Sequence, residues 1–314
     1  MTTVTQSPGA LAPSTSAQSP QRRTRGLRRR SILVGWSFIL PNFIGFALFT
    51  LIPVIAALTL AFMNWDGYNP PKFEGLGNFI RLAKDSSFHV ALKNTLLYAV
   101  GHVPLTLAFS LGLALLLNQK LRGIAFFRVA IFFPYITSLV AIAIVWNMLF
   151  NPTSGPINLF LHAIGVANPP GWTATTTWAL PAVIITGVWR DMGYYMILFL
   201  AGLQAIPQEY YEAAEVDGAG RWGRFWNVTL PGLRATTFLV LVLLSVSSFK
   251  VFDLIFVMTQ GGPGRATLVL SQLIYQDGII NGEFGYSSAV SLVLFVIVLV
   301  VTVFQFKIQQ WRDR

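Results

Sequence analysis

Six apolar runs, each long enough to cross a bilayer, decide what this chain can fold into. They cover residues 35–62, 94–117, 129–150, 179–202, 235–258 and 286–306. An α-helix rises about 1.5 Å per residue, so each run reaches across a hydrocarbon core about 30 Å thick. No water inside that core satisfies backbone N–H and C=O groups, so only helices or a closed barrel can cross it. Barrel strands are about half this length and alternate apolar with polar residues, which these runs do not. The expected fold class is all-α: a polytopic membrane protein with six transmembrane helices. Only 11% of the residues are charged, against about 25% in soluble domains. Pro41, Pro53, Pro104, Pro134 and Pro181 predict kinks that neighbouring helices must cover.

The net charge of +10 would suggest a nucleic-acid partner in a soluble protein. Its distribution argues for topology instead. With the N-terminus placed in the cytoplasm, the inside segments carry fifteen basic residues: Arg22, Arg23, Arg25, Arg28, Arg29, Arg30, Lys120, Arg122, Arg128, Arg221, Arg224, Arg234, Lys307, Arg312 and Arg314. The outside segments carry four: Lys72, Arg81, Lys84 and Arg265. Basic residues favour the inner face, so both termini are expected in the cytoplasm and no nucleic acid is implied. Residues 1–30 read as a disordered basic tail ahead of one six-helix domain over 31–314. The stretch from Arg29 to Leu33 loosely fits a twin-arginine export signal. The apolar run after it is far longer than a signal's core and no A-x-A site closes it, which favours a juxtamembrane anchor for anionic lipid.

The chain has no Cys, and His89, His102 and His162 stand at spacings that match no ligand pair. Neither a metal site nor a catalytic cluster is expected. A P-loop needs Lys followed by Ser or Thr after glycines. The six lysines here are followed by Phe, Asp, Asn, Leu, Val and Ile. The chain is therefore expected to bind no cofactor and to hydrolyse no ATP of its own.

Glu209–Pro231 is a polar interruption between the fourth and fifth runs, on the side that the charge count places in the cytoplasm. Pro207 suits a first helical turn, and Glu209 and Glu212 lie near the positive end of the dipole. Pro207–Asp217 thus predicts about three turns of helix. Tyr210, Ala213, Ala214 and Asp217 share a small-residue face. Gly218 suits a C-cap because it tolerates a left-handed backbone. Arg221–Val228 then presents Trp222, Phe225 and Trp226, and Leu230-Pro231 restarts the next run. Helix, glycine break, helix and proline make a rigid elbow fit to dock on a soluble partner.

These residues carry a resemblance. Glu212-Ala213-Ala214, three residues, Gly218, nine residues and Val228-Thr229-Leu230-Pro231 follow one another. This resembles the EAA loop of binding-protein-dependent ABC importer permeases, whose pattern ends in I-x-L-P; Val228 is a conservative departure. Ala201–Pro207 and Asp217-Gly218-Ala219 are similar to the sugar-permease branch, and Gly261-Gly262-Pro263 to its maltose/glycerol-phosphate-type subunit. The resemblance covers about residues 32–310.

The resemblance implies a type I ABC importer transmembrane domain in a bacterial plasma (inner) membrane, moving a carbohydrate or a glycerol-phosphate-like solute. It implies as partners a second homologous permease in a heterodimer, two ATPase subunits that hold ATP and Mg, and an extracytoplasmic solute-binding protein. It makes 204–233 the coupling loop, in which Glu212, Ala213, Ala214, Asp217, Gly218, Leu230 and Pro231 meet an ATPase, with Glu212 as the polar contact. The rival reading is an ion-driven secondary transporter, which would predict inverted repeats and paired broken helices, neither evident in the sequence. A membrane enzyme would need a His, Cys or acid cluster at one membrane face, and none is present.

Charges inside the runs mark function by default. Arg190 and Asp191 are adjacent, so they point to different sides of a helix and are not expected simply to pair; Lys250 and Asp253, three apart, are expected to be able to pair. Such groups either fix packing and gate a path or touch substrate. Sugars stack on aromatic rings while polar groups orient them. Trp146, Asn147, Trp189, Tyr194, Tyr195 and Phe249 therefore join Arg190, Lys250 and Asp253 as candidate path residues, with belt or packing roles as the alternative. His102, beside Pro104, reads as a helix–helix hydrogen bond. Ser245, Ser247 and Ser248 either line the path or bond carbonyls four residues back.

Overall fold

The computed structural model describes Thr3, residues 36–119 and residues 122–312; the basic stretch Arg22–Arg30 lies outside them. The chain divides into two compact units, residues 1–56 and 57–314. The first contains most of helix α1 (Trp36–Leu60). Pro53 has no N–H to give the carbonyl four residues back, and α1 widens into a π-helical turn over Ala47–Leu51 just before it.

The second unit opens on a short antiparallel hairpin, β1 (Met63–Asn64) with β2 (Lys72–Phe73), Met63 opposite Phe73. Asp66 organises its turn by accepting the N–H groups of Tyr68 at 3.0 Å and Asn69 at 2.9 Å, and the Asn69 amide at 2.6 Å. The Asn69 backbone and side chain, then the Tyr68 backbone, hold this carboxyl down at about 2. Helix α2 (Gly77–Lys84) follows, in a segment that the sequence gives only as an outer loop.

Helix α3 (Ser86–Leu117) starts well before the expected residue 94, because Asp85 caps it by accepting the Ser87 N–H at 2.8 Å. Asp85 also accepts the Tyr286 hydroxyl at 2.6 Å. Partial burial pushes its carboxyl up, but the bonds from Tyr286 and Ser87 outweigh this and leave it below the usual carboxylate range. The stabilisation is therefore present at neutral pH and is lost as pH falls through that lowered value. Asp85→Ala is expected to cost about 1–2 kcal/mol, read as a lower thermal midpoint of the detergent-purified chain at neutral pH, with the difference narrowing in acid.

The third run is not one straight helix. It is α4 (Ile124–Ile136) and α5 (Leu139–Leu149), bent by 98°. Pro134 cannot donate to the turn behind it, and α4 ends two residues later, with Thr137 extended. Helix α6 (Pro156–Ala163) and a 3-10 turn at Trp172–Ala174 fill the next connection. There the buried Asn158 accepts the Trp172 indole N–H at 2.6 Å. Helix α7 (Ala179–Gln204) is continuous. Then come α8 (Gln208–Val216), α9 (Arg221–Gly232) and α10 (Arg234–Phe249), with a 65° bend between α9 and α10. The fifth run is interrupted again at Lys250–Phe252 before α11 (Asp253–Met258). Helix α12 (Leu270–Tyr275), a π turn over Gln276–Ile280 and α13 (Phe284–Arg312) complete the chain.

Among the described residues four helices, α1, α3, α7 and α13, are long and apolar enough to cross a membrane, and six spans result if each bent pair is one. Within the second unit α7 packs along α3, α4 lies on α7, and α10 lies on α3. In lipid such contacts are held by close packing and hydrogen bonds rather than by apolar burial from water. One buried cluster joins Met196, Phe199, Leu233 and Leu244. Another joins Phe150, Trp172, Val183 and Ile255.

Candidate functional site

The polar segment between α7 and α10 is an elbow fixed at three points. Gly218 takes φ +79°, which only glycine adopts without strain. That turn lets the Ala219 N–H reach the Ala214 carbonyl at 2.8 Å and the Gly218 N–H the Glu215 carbonyl at 3.0 Å, closing the end of α8. Tyr211 Oη shares a hydrogen bond with Thr229 Oγ1 at 3.1 Å, and Arg224 donates to Glu215 at 3.0 Å. Both bonds run from α8 to α9. The elbow's outer side remains open: Glu212, Ala213 and Asp217 are exposed, Ala214 is half-buried, and the rings of Tyr210, Trp222 and Trp226 are exposed. Leu230 and Pro231 are half-buried at its base, where with Trp226, Arg234 and Gln305 they line a groove of about 320 Å³.

A second polar site lies where α3, α7 and α10 meet. It is a cavity of about 190 Å³ lined by Tyr98, His102, Arg190, Asp191, Ser248, Lys250 and Asp253 among others. The broken backbone at Lys250–Phe252 opens on it, as irregular backbone at membrane depth must open on a cavity or on protein. Arg190 donates to Asp191 at 2.8 Å. This corrects the expectation that the two do not pair: neighbours diverge by about 100° around a helix, but the long Arg190 side chain folds back across that angle. The Arg190 guanidinium also lies 5.2 Å from the centre of the Tyr135 ring, which stacks on Tyr194 at 4.4 Å. On the other side of Asp191 stands His102, its Nε2 3.3 Å from Oδ2 and its Nδ1 2.9 Å from Ser248 Oγ. The helix–helix bond expected of His102 is thus made to α10. Gly187 leaves room for this group: a Cβ there would stand 2.6 Å from Tyr98 Oη and 3.1 Å from the His102 ring.

The other candidates are placed unequally. Trp146 meets Trp189 edge-on at 5.4 Å. Asn147 donates to the Met258 carbonyl at 3.1 Å, which ties α5 to α11. Tyr195 is buried, with its hydroxyl 3.5 Å from Ser247 Oγ. Phe249 is buried against the cluster of Phe88, Leu270 and Tyr286, away from the cavity. Lys250 and Asp253 both line the cavity and are exposed, yet among the described residues no ion pair joins them. The helix stops between them, so the three-residue helical spacing does not apply. Ser245 and Ser248 bond carbonyls four residues back at 2.7 Å each, although Ser248 faces the cavity as well. Tyr135 and the tie between Tyr211 and Thr229 escaped the sequence reading; a lone tyrosine in the apolar stretch 124–136 was the available signal for the first.

Residues 107–314 match the family described as "Binding-protein-dependent transport system inner membrane component". The chain is 38% identical over 290 residues to the "Probable ABC transporter permease protein YesP" of Bacillus subtilis, covering 91% of this chain and 93% of that one. It is 37% identical over 285 residues to the "Lactose transport system permease protein LacF" of Rhizobium radiobacter, covering 89% and 95%. Its fold matches a chain in the crystal structure of a bacterial alginate ABC transporter in complex with alginate pentasaccharide-bound periplasmic protein, with a TM-score of 0.77, 26% identity and coverage of 90% and 96%. With the spaced elbow pattern inside the matched region and apolar helices around it, this chain belongs to the binding-protein-dependent transport system inner membrane component family and is a multi-pass ABC importer permease.

Proposed function

We propose that this permease forms half of a heterodimeric pore for a carbohydrate, driven by two ATPase subunits that hold ATP and Mg and grip the elbows of the two permeases. An extracytoplasmic solute-binding protein delivers the substrate, both termini lie in the cytoplasm of a bacterial cell, and this chain binds no cofactor of its own. The observation that carries this reading is the elbow: an exposed Glu212-Ala213 face on a short helix that two side-chain bonds hold to α9. A lever must be stiff and must offer a partner different contacts in two states. Aromatic rings beside paired charges suit a sugar, whose apolar faces stack while its hydroxyls take hydrogen bonds. The lactose relative and the alginate-transporter neighbour support that substrate class.

The chain has no native cysteine, which makes the test direct. Ala213→Cys, in membranes containing the whole importer, is expected to cross-link to a single-cysteine ATPase partner, and the yield is expected to change when ATP is added. Absence of any such product, with Ala213→Cys labelled normally by a soluble maleimide, would exclude the elbow as the ATPase contact.

A further inference from the structure

We infer that His102 is a positioning residue: it holds Asp191 through a hydrogen between Nε2 and Oδ2, and through Asp191 it sets Arg190 at the cavity. The functional part of this inference rests on the carbohydrate-path reading above; the hydrogen-bond part does not.

The hydrogen count places a hydrogen on Nε2. Ser248 Oγ lies 2.7 Å from the Leu244 carbonyl and 2.9 Å from His102 Nδ1. Its single hydrogen goes to one or the other. If it goes to Leu244, Nδ1 is the donor to Ser248, and a neutral ring would aim the Nε2 lone pair at the Asp191 carboxylate. If it goes to Nδ1, the ring's own hydrogen is on Nε2. A bare Nε2 at 3.3 Å from Oδ2 is repulsive; His102 is 1% exposed, and Nε2 as placed makes no hydrogen bond to any described residue, with Asp191 Oδ2 facing it. In both arrangements that remain, Nε2 carries a hydrogen on the side of Asp191, although at 3.3 Å the two groups as placed stand close without a formed hydrogen bond.

Asp191 thus has Arg190 bonded to Oδ1 at 2.8 Å and His102 Nε2 facing Oδ2 at 3.3 Å. The groups facing His102 are Tyr98 on its own helix, stacked at 5.1 Å, Asp191 on α7, and Ser248 on α10. Arg190 in turn lies over Tyr135 of α4. Helix α10 is the helix that follows the elbow. A shift of α10 against α3 would therefore reach Arg190 through Ser248, His102 and Asp191, without a direct contact between Ser248 and Arg190.

Two measurements test this. In the full chain carrying His89→Gln and His162→Gln, isotope-labelled histidine is expected to report a protonated, hydrogen-bonded Nε2 whose resonance moves on Asp191→Asn. An unprotonated Nε2, or one indifferent to Asp191→Asn, overturns the inference. In membranes with the whole importer, uptake of radiolabelled maltose, lactose and trehalose is measured for His102→Gln, Arg190→Gln and the pair. For a sugar that the wild type takes up, His102→Gln is expected to raise KM about tenfold, with no further loss when added to Arg190→Gln. Additive losses would make His102 a packing residue only. If none of the sugars enters, the carbohydrate reading fails for these probes, while the histidine spectrum still decides the bond.

Discussion

Glu212→Lys is expected to lower substrate uptake by the assembled importer at least tenfold, with membrane insertion and thermal midpoint unchanged. The two halves of this result have separate causes. Glu212 is exposed, and among the described residues it makes no hydrogen bond or ion pair. Substitutions at such positions usually change stability by less than about 0.5 kcal/mol. Losing a charged contact to a partner costs about 2–5 kcal/mol, which exceeds the ~1.4 kcal/mol of a tenfold change. Glu209→Lys is the control, the same charge change at an exposed residue of the same helix. Equal uptake by Glu212→Lys and wild type would remove Glu212 from the coupling contact; a lowered thermal midpoint would mean that the elbow itself had been damaged.

The elbow was legible in the sequence because each signal there is local. Pro207, Gly218 and Leu230-Pro231 restrict the backbone by their own covalent structure, and the observed α8 differs from the expected 207–217 by one residue at each end. The apolar runs were legible as lengths but not as shapes. Pro134 marks a kink within 129–150 but does not fix its 98°, because proline only removes a donor and crowds the turn behind it, while the surrounding helices set how far the chain turns. The arrangement around Asp191 was the least legible. Asp191 and Ser248 both face His102, the three residues drawn from three helices, and a single sequence carries no trace of which helices touch. Phe249 illustrates the converse, since its neighbour Lys250 lines the cavity while the ring itself packs with Phe88 and Tyr286.

Gly187→Ala is expected to destabilise the chain by about 1–3 kcal/mol, and Tyr98→Phe in the same chain is expected to restore most of that loss. The added Cβ would stand 2.6 Å from Tyr98 Oη, a separation that non-bonded carbon and oxygen do not tolerate. The Tyr98 ring cannot swing aside cheaply, because it is 2% exposed and stacked on His102 at an interplanar angle of 13°. Either α7 must move off α3 or the ring must press on His102, which would lengthen its contacts with Ser248 and Asp191. Removing the hydroxyl takes away the clashing atom and little else, since among the described residues Tyr98 Oη makes no hydrogen bond. Thermal unfolding of the two single variants and the double variant in detergent gives the coupling directly. A double variant as unstable as the sum of the singles would mean that the hydroxyl is not what Gly187 makes room for. Restored stability with uptake still impaired would place the remaining 3.1 Å approach to the His102 ring at the centre of the defect, because that ring holds the carboxylate on which Arg190 rests.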